Sequence, residues 1–272
     1  MSEPIHSPQN PRIKQTVRLR EASHRRSSGL MLIDGAREIA QAILGGIEIQ
    51  ELFVDENCES WQDAFGTMAQ ELPAQASSNL DRVGTLVSKQ VLEKLAYGNR
   101  NESLVAIAKQ PSVELERLKD HERSVVLVID QVEKPGNIGA MLRTASAIGA
   151  TAVLLSDPVC DLWNSNAIRA SLGAIFRMPI AIAPASNVVA WLEDRQYQIV
   201  AARVDGSQSY RPFQWSAKTS IVVGSEAKGL GKVWHQSKIV GMRLPMHTTV
   251  DSLNVSVTAA ILMYEATSAN ST

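Results

Sequence analysis

Three stretches of this 272-residue chain set small residues beside hydrogen-bonding and charged side chains where a strand should give way to a helix. The first reads Lys134-Pro135-Gly136-Asn137-Ile138-Gly139-Ala140-Met141-Leu142-Arg143. Its glycines permit close backbone approach, Asn137 can cap a helix, and Arg143 falls about two turns in, within reach of a ligand in the loop. The second, Gly224-Ser225-Glu226-Ala227-Lys228-Gly229-Leu230, leaves backbone donors and acceptors open around one fixed negative charge. The third runs from Leu244-Pro245-Met246 to Ser252-Leu253-Asn254, where Asp251 or Ser252 makes a good N-cap for a helix over residues 253–267. Amide, hydroxyl, carboxylate and guanidinium groups beside free helix-start N–H groups can orient a polar nucleophile or a phosphate. A nucleotide fold of the GxGxxG type is not indicated, because a single Gly-x-x-Gly is only a tight-turn signal. Ser225-x-x-Lys228 and Ser252-x-Asn254 also match elements of serine penicillin-binding enzymes, but Lys218-Thr219 precedes both, the reverse of that order.

These loops need a frame, and the apolar runs supply one. Residues 125–129 (VVLVI) are β-branched and unbroken, as in parallel strands buried on both faces, and runs at 152–155, 180–183, 199–202 and 220–223 repeat the signal with helical stretches between. A mainly parallel α/β sheet is expected, with ligands beyond the carboxyl ends of its strands. Ahead of it, strands near 30–33, 49–54, 83–86 and 104–108, with helices over 36–44, 60–72 and 88–97, predict a smaller α/β unit of about 80 residues. Gln110-Pro111 and a charge-rich stretch mark a boundary, with a linker helix expected over 111–123. In the last helix Leu253, Val257, Ile261 and Tyr264 form one apolar face and Val255, Ala259 and Leu262 another. One face can pack on the sheet, and the other calls for a second copy of the chain.

Composition narrows the class. A 44% hydrophobic content supplies a core, no run approaches the roughly 20 apolar residues of a membrane span, and residues 1–28 are too polar for a secretory signal, so a cytoplasmic protein is expected. Cys58 and Cys160 are isolated and the five histidines lack metal-ligand spacing, so neither metal nor disulfide is expected. The net charge of −1 argues against wholesale coating of nucleic acid, yet residues 1–29 hold six basic side chains (Arg12, Lys14, Arg18, Arg20, Arg25, Arg26) against Glu3 and Glu21. That segment reads either as a phosphate-steering extension or as a solvated tail.

Taken together, the three loops resemble the motif set of the SpoU, or TrmH, family of RNA ribose 2′-O-methyltransferases. The likeness extends over Thr144-Ala145, Val255-Ser256 and an intermediate segment, Ile168-Arg169-Ala170-Ser171-Leu172-Gly173. Ser225 departs from the more usual Asn, as in the thiostrepton-resistance branch of that family. Asp34-Gly35-x-Arg37-Glu38 is similar to the family's amino-terminal substrate-binding domain, of ribosomal-protein-like fold. The resemblance implies a trefoil-knotted domain over 124–272, an RNA-binding domain over 30–110 and a homodimer formed through the last helix. It implies S-adenosylmethionine held by Gly224, Ser225, Glu226, Gly229, Leu244, Met246, Ser252 and Leu253. It gives Arg143 the role of base, against which a guanidinium's reluctance to lose a proton sets an equal alternative, positioning the adjacent phosphate. Asn137, Ser252 and Asn254 would orient the ribose hydroxyl and Arg143, and Arg169 would hold a phosphate, reaching toward the partner's site. The RNA would be ribosomal or transfer RNA. A nonenzymatic RNA-binding protein of the same fold is the rival reading, and the full set of Asn137, Arg143, Glu226, Ser252 and Asn254 argues against it.

Overall fold

The computed structural model describes residues 2–98, 102–206, 208–247 and 252–270. They divide into two compact units, Met1–Pro111 with Leu162–Arg177, and Ser112–Asp161 with Met178–Thr272.

The first unit opens with β1 (Ser2–Ile5), α1 (Pro11–Arg18) and α2 (Ala22–Ser28). It continues through β2 (Leu30–Asp34), α3 (Ala36–Leu44), β3 (Ile49–Asp55), α4 (Trp61–Phe65), α5 (Ala74–Val83), β4 (Gly84–Val87), α6 (Lys89–Leu95) and β5 (Leu104–Lys109). The sheet order is β1-β4-β3-β5-β2, with β5 antiparallel to both neighbours and the other pairs parallel. The helix expected over 60–72 forms in two parts, α4 and then a 3-10 helix over Gly66–Glu71 entered where Gly66 takes a φ of 59°, and α5 begins after Pro73. Residues 1–29 are not the expected extension. Ile13 and Leu19 are buried in the core and β1 pairs with β4, so the basic residues ride on elements the fold requires.

The second unit carries β6 (Ser124–Asp130), α7 (Pro135–Ala147) and β7 (Ala152–Ser156). After β7 the chain makes α8 (Ser165–Ala170), whose segment belongs to the first unit. It returns for β8 (Ile180–Ala183), α9 (Ala185–Asp194), β9 (Gln198–Ala202), β10 (Gln208–Ser209), β11 (Lys218–Val223), β12 (Val240–Arg243) and α10 (Val255–Asn270). All seven strands are parallel, in the order β10-β12-β9-β11-β6-β7-β8. Every residue of β6 is buried, as its unbroken apolar run requires of a strand covered on both faces. Val126 and Val128 pack with Val188 and Leu192 of α9, while α10 lies against α7, β6 and β11. The linker helix expected over 111–123 is not formed. Only a 3-10 turn at Leu115–Arg117 appears, because Leu115 is drawn into the second core and the Ile182 N–H donates to the Val113 carbonyl, stitching the stretch to β8. Among the described residues no helix is long and apolar enough to cross a membrane.

Candidate active site

Neighbouring strands β6 and β11 end side by side, so the loop from Gln131 to Lys134 and the loop from Gly224 to Gly231 emerge together. Ligands in open parallel sheets gather at such carboxyl ends. The second loop is held from within by Ser225, whose buried Oγ accepts from the backbone N–H groups of Ala227 and Lys228, both at 3.2 Å. The Gly229 N–H donates to the Ser225 carbonyl at 2.9 Å, and Gly229 takes a φ of 67°. Gly224 passes so close that a Cβ there would lie 2.5 Å from the Gly229 carbonyl oxygen. A hydroxyl at 225 is thus enough to close the turn. Beneath it, Asp130 is fully buried, accepting from the Gly231 N–H at 2.9 Å and from Ser156 Oγ at 2.7 Å.

Glu226 ties the three sequence stretches together. Its Oε1 accepts from Asn137 Nδ2 at 2.9 Å and from Asn254 Nδ2 at 3.1 Å, its Oε2 pairs with the Lys134 ammonium, and the Val255 N–H at the start of α10 also donates to it. Asn254 Nδ2 lies 3.3 Å from Asn137 Oδ1 as well. Lys134 first, then Asn137 and the Val255 N–H, hold the Glu226 carboxyl below the usual range against the opposing effect of burial. Asn254 itself caps α10, its Oδ1 accepting from the Ser256 N–H at 2.9 Å. The cap expected at Asp251 or Ser252 therefore falls later, with Asp251 outside the described residues. The reason is geometric: the Asn254 amide serves cap and carboxylate at once.

Beside this junction lies a cavity of about 540 Å³. Gly224, Ser225, Glu226, Gly229, Leu244, Met246, Ser252 and Leu253 all line it. Arg143 lies on α7, exposed and with no side-chain partner among the described residues. Gly136 sits about two turns before it, and a Cβ there would meet nothing within 4 Å. Arg169 differs. It belongs to the first unit, 13% exposed, with its guanidinium 2.9 Å from Asp34 and 2.6 Å from Glu102 and donating to the Tyr97 carbonyl. In this structure two carboxylates hold the guanidinium that was expected to hold a phosphate.

Sequence reasoning missed the loop after β9. Arg203 forks onto Asp205 at 2.9 and 2.7 Å at the edge of the cavity, with Val204 and His235 also lining it. That hydrogen bond, with His235 adding to it, holds the Asp205 carboxyl below its usual range. The signal was present, since residues 199–202 read as a strand and its carboxyl end deserved the same search as the others.

Comparison with known proteins agrees with this geometry. The model of the SpoU rRNA methylase family matches residues 124–264, and an MRM3-like substrate binding domain matches residues 10–106. A 23S rRNA (guanosine(2553)-2′-O)-methyltransferase of Bacillus subtilis is 24% identical over 260 residues, covering 96% of this chain and 97% of its own. A crystallised RNA 2′-O ribose methyltransferase is 36% identical, covers 99% of this chain and 100% of its own, and superposes with a TM-score of 0.82. The rRNA methyltransferase of Sinorhizobium meliloti, solved with S-adenosylmethionine bound, is 25% identical over 97% of each chain, with a TM-score of 0.85. Matched across its second unit by the family model and along almost its whole length by a methyltransferase of known structure, the chain belongs to the SpoU rRNA methylase family.

Proposed function

We propose that the junction at Glu226 is where a ribose 2′-OH is methylated, and that the RNA is ribosomal. The chain is an S-adenosylmethionine-dependent RNA ribose 2′-O-methyltransferase. One observation carries the assignment of the site: a single carboxylate, Glu226, gathers Asn137 and Asn254 from separate stretches beside the cavity. The cavity suits the cofactor. Its volume lies within the usual range for ligand sites, Val223, Leu244 and Leu253 give an adenine apolar walls, and the absence of a Cβ at Gly224 lets the loop that lines it close on Gly229. When bound, S-adenosylmethionine supplies an electrophilic methyl group on sulfonium.

This chain's residues then do the positioning. Asn137, its amide nitrogen spent on Glu226 and one oxygen lone pair on Asn254 Nδ2, keeps a second lone pair that can take the hydroxyl proton's hydrogen bond and aim the oxygen, while Asn254, its own oxygen filled by the Ser256 N–H and hydroxyl, props Asn137 in place. Arg143, without a side-chain partner among the described residues, holds the phosphate next to the reacting ribose, and its charge favours the developing alkoxide. We prefer this to a base role because guanidinium stays protonated in proteins. Exposed Lys14, Arg18 and Arg26 on the first unit meet the RNA backbone. A second copy covers α10, where Val257 and Tyr264 remain 46% and 55% exposed while Ala259 and Leu262 are fully buried. The last helix closes a trefoil knot, a reading favoured by β11 being inserted between the earlier strands β6 and β9. The protein works in the cytoplasm, where ribosomal RNA is available.

Radiolabelled methyl transfer to in vitro transcribed 23S rRNA, with a tRNA pool as comparison, tests the assignment. Alkali-resistant dinucleotides in the rRNA are the expected product. Binding of rRNA without any label incorporation would instead favour a nonenzymatic RNA-binding protein.

A further inference from the structure

Lys134 is absorbed by nothing described so far. It occupies the cap position ahead of α7, its side chain is 71% exposed, and its ammonium is spent on Glu226 Oε2 although solvent is at hand. The pairing decides geometry elsewhere. A carboxylate is a rigid plane, so fixing one oxygen from the α7 side fixes the direction of the other, and that other oxygen receives both Asn137 and Asn254. With Oε2 unheld, the Glu226 side chain could swing about its last torsion, and the two amides would lose the common acceptor that keeps them 3.3 Å apart. Among the described residues the charged partner of Glu226 is Lys134 from the α7 side, Lys228 lies on its own loop along the same cavity, and at the start of α10 the Asn254 amide and the Val255 N–H donate to it.

We propose that Lys134 is a positioning residue for methyl transfer, holding Glu226 so that a single oxygen aligns Asn137, braced by Asn254, on the ribose. This rests on the reading of Asn137 as the group that orients the hydroxyl. Lys134 touches neither nucleotide nor cofactor in this account. Its effect should appear in kcat and its pH profile, and not in fold stability, since exposed ion pairs contribute little.

The variants are Lys134→Met, which keeps the length and removes the charge, and Lys134→Arg, which keeps both charge and donors. Methyl transfer to 23S rRNA transcript is measured across pH 5 to 9, with cofactor affinity by calorimetry and RNA affinity against salt. In Lys134→Met, kcat should fall about ten- to a hundredfold, the scale of a slightly misplaced reacting group, with cofactor Kd within threefold. The acid limb should move to higher pH. Glu226 is held low chiefly by Lys134, so without that ammonium it takes up a proton at a higher pH and stops accepting from the amides there. Lys134→Arg should restore most of the rate and the original limb. An unchanged rate and limb in Lys134→Met overturns the proposal, as does a fall in the salt slope of RNA binding with an unmoved limb, which would make Lys134 a phosphate contact. Asn137→Ala, assayed alongside, separates the two levels. A normal rate there removes the reading of the amides, while a slow Asn137→Ala with a normal Lys134→Met removes only the role of Lys134.

Discussion

Gly224→Ala puts the loop that walls the cofactor cavity under a load that can be read from distances. The new methyl group would stand 2.5 Å from the Gly229 carbonyl oxygen, 2.7 Å from its carbonyl carbon and 2.9 Å from Leu230 Cδ2. Two of the three are backbone atoms, so no rotamer change relieves the clash. Relief requires the turn from Ser225 to Gly229 to open by several tenths of an ångström, at the expense of the Gly229 N–H bond to the Ser225 carbonyl and the two bonds onto Ser225 Oγ. Overpacking of this kind costs about 1–3 kcal/mol. If the cofactor needs the closed turn, that cost is paid on binding, and S-adenosylmethionine affinity falls about five- to 150-fold, at 1.4 kcal/mol per tenfold. Isothermal calorimetry with S-adenosylmethionine and with S-adenosylhomocysteine reads it directly. Gly136→Ala is the matched control, because its Cβ meets nothing within 4 Å and it lies in α7, where alanine is the better helix former by roughly 0.8–1 kcal/mol. Cofactor affinity within twofold of the parent in Gly224→Ala, or an equal loss in Gly136→Ala, would refute the reasoning.

Four further outcomes are expected. Arg143→Ala should lower methyl transfer by about 10²-fold or more while cofactor Kd stays within threefold, so a rate within about tenfold of the parent counts against its role. Replacing Lys14, Arg18 and Arg26 together by alanine should flatten the salt dependence of RNA binding by up to about 0.7–0.9 in slope per lost phosphate contact; Arg25→Ala should instead lower thermal stability by roughly 1–3 kcal/mol, because its buried Nη1 satisfies the Leu19 carbonyl at 2.7 Å. Light scattering at micromolar concentration should give about twice 29.6 kDa, and Tyr264→Glu should bring the mass toward that monomer value.

What could be read in the sequence was whatever its own period or local chemistry determines. Seven buried residues in β6 announce a doubly covered strand, and the two faces of α10 separate as their spacing says, Val255, Ala259 and Leu262 inward, Val257 and Tyr264 outward. The three motif loops were likewise legible, because small residues after a strand leave few alternatives. Illegible were the properties set by residues distant in sequence. Nothing in Arg12, Arg20 or Arg25 as letters separates them from Lys14, yet Arg12 pairs with Glu51, Arg20 donates to the Lys94 and Ala96 carbonyls at the end of α6, and Arg25 is buried. Charge counting on residues 1–29 therefore overstates twofold what is available to RNA.

The segment Leu162–Arg177 carries the same lesson into function. It lies between two strands of the methyltransferase sheet, and the family model runs straight through it, but its contacts are with the first unit. Gly45 and Gly173 show how close that packing is: a Cβ at 45 would stand 2.2 Å from the Phe176 carbonyl, and one at 173 would stand 2.5 Å from Gln41 Cβ. Ile168, Ile175 and Phe176 are buried, and Arg169 is fixed between Asp34 and Glu102. The first unit is thus assembled from two separate pieces of chain. A truncation that removes residues 1–110 would strip the cover from those apolar side chains and leave Arg169 without its carboxylates. Lost RNA binding in such a variant would then report a damaged chain as much as a missing domain, which is why the separable test of RNA contact is the surface triplet Lys14, Arg18 and Arg26 and not the deletion.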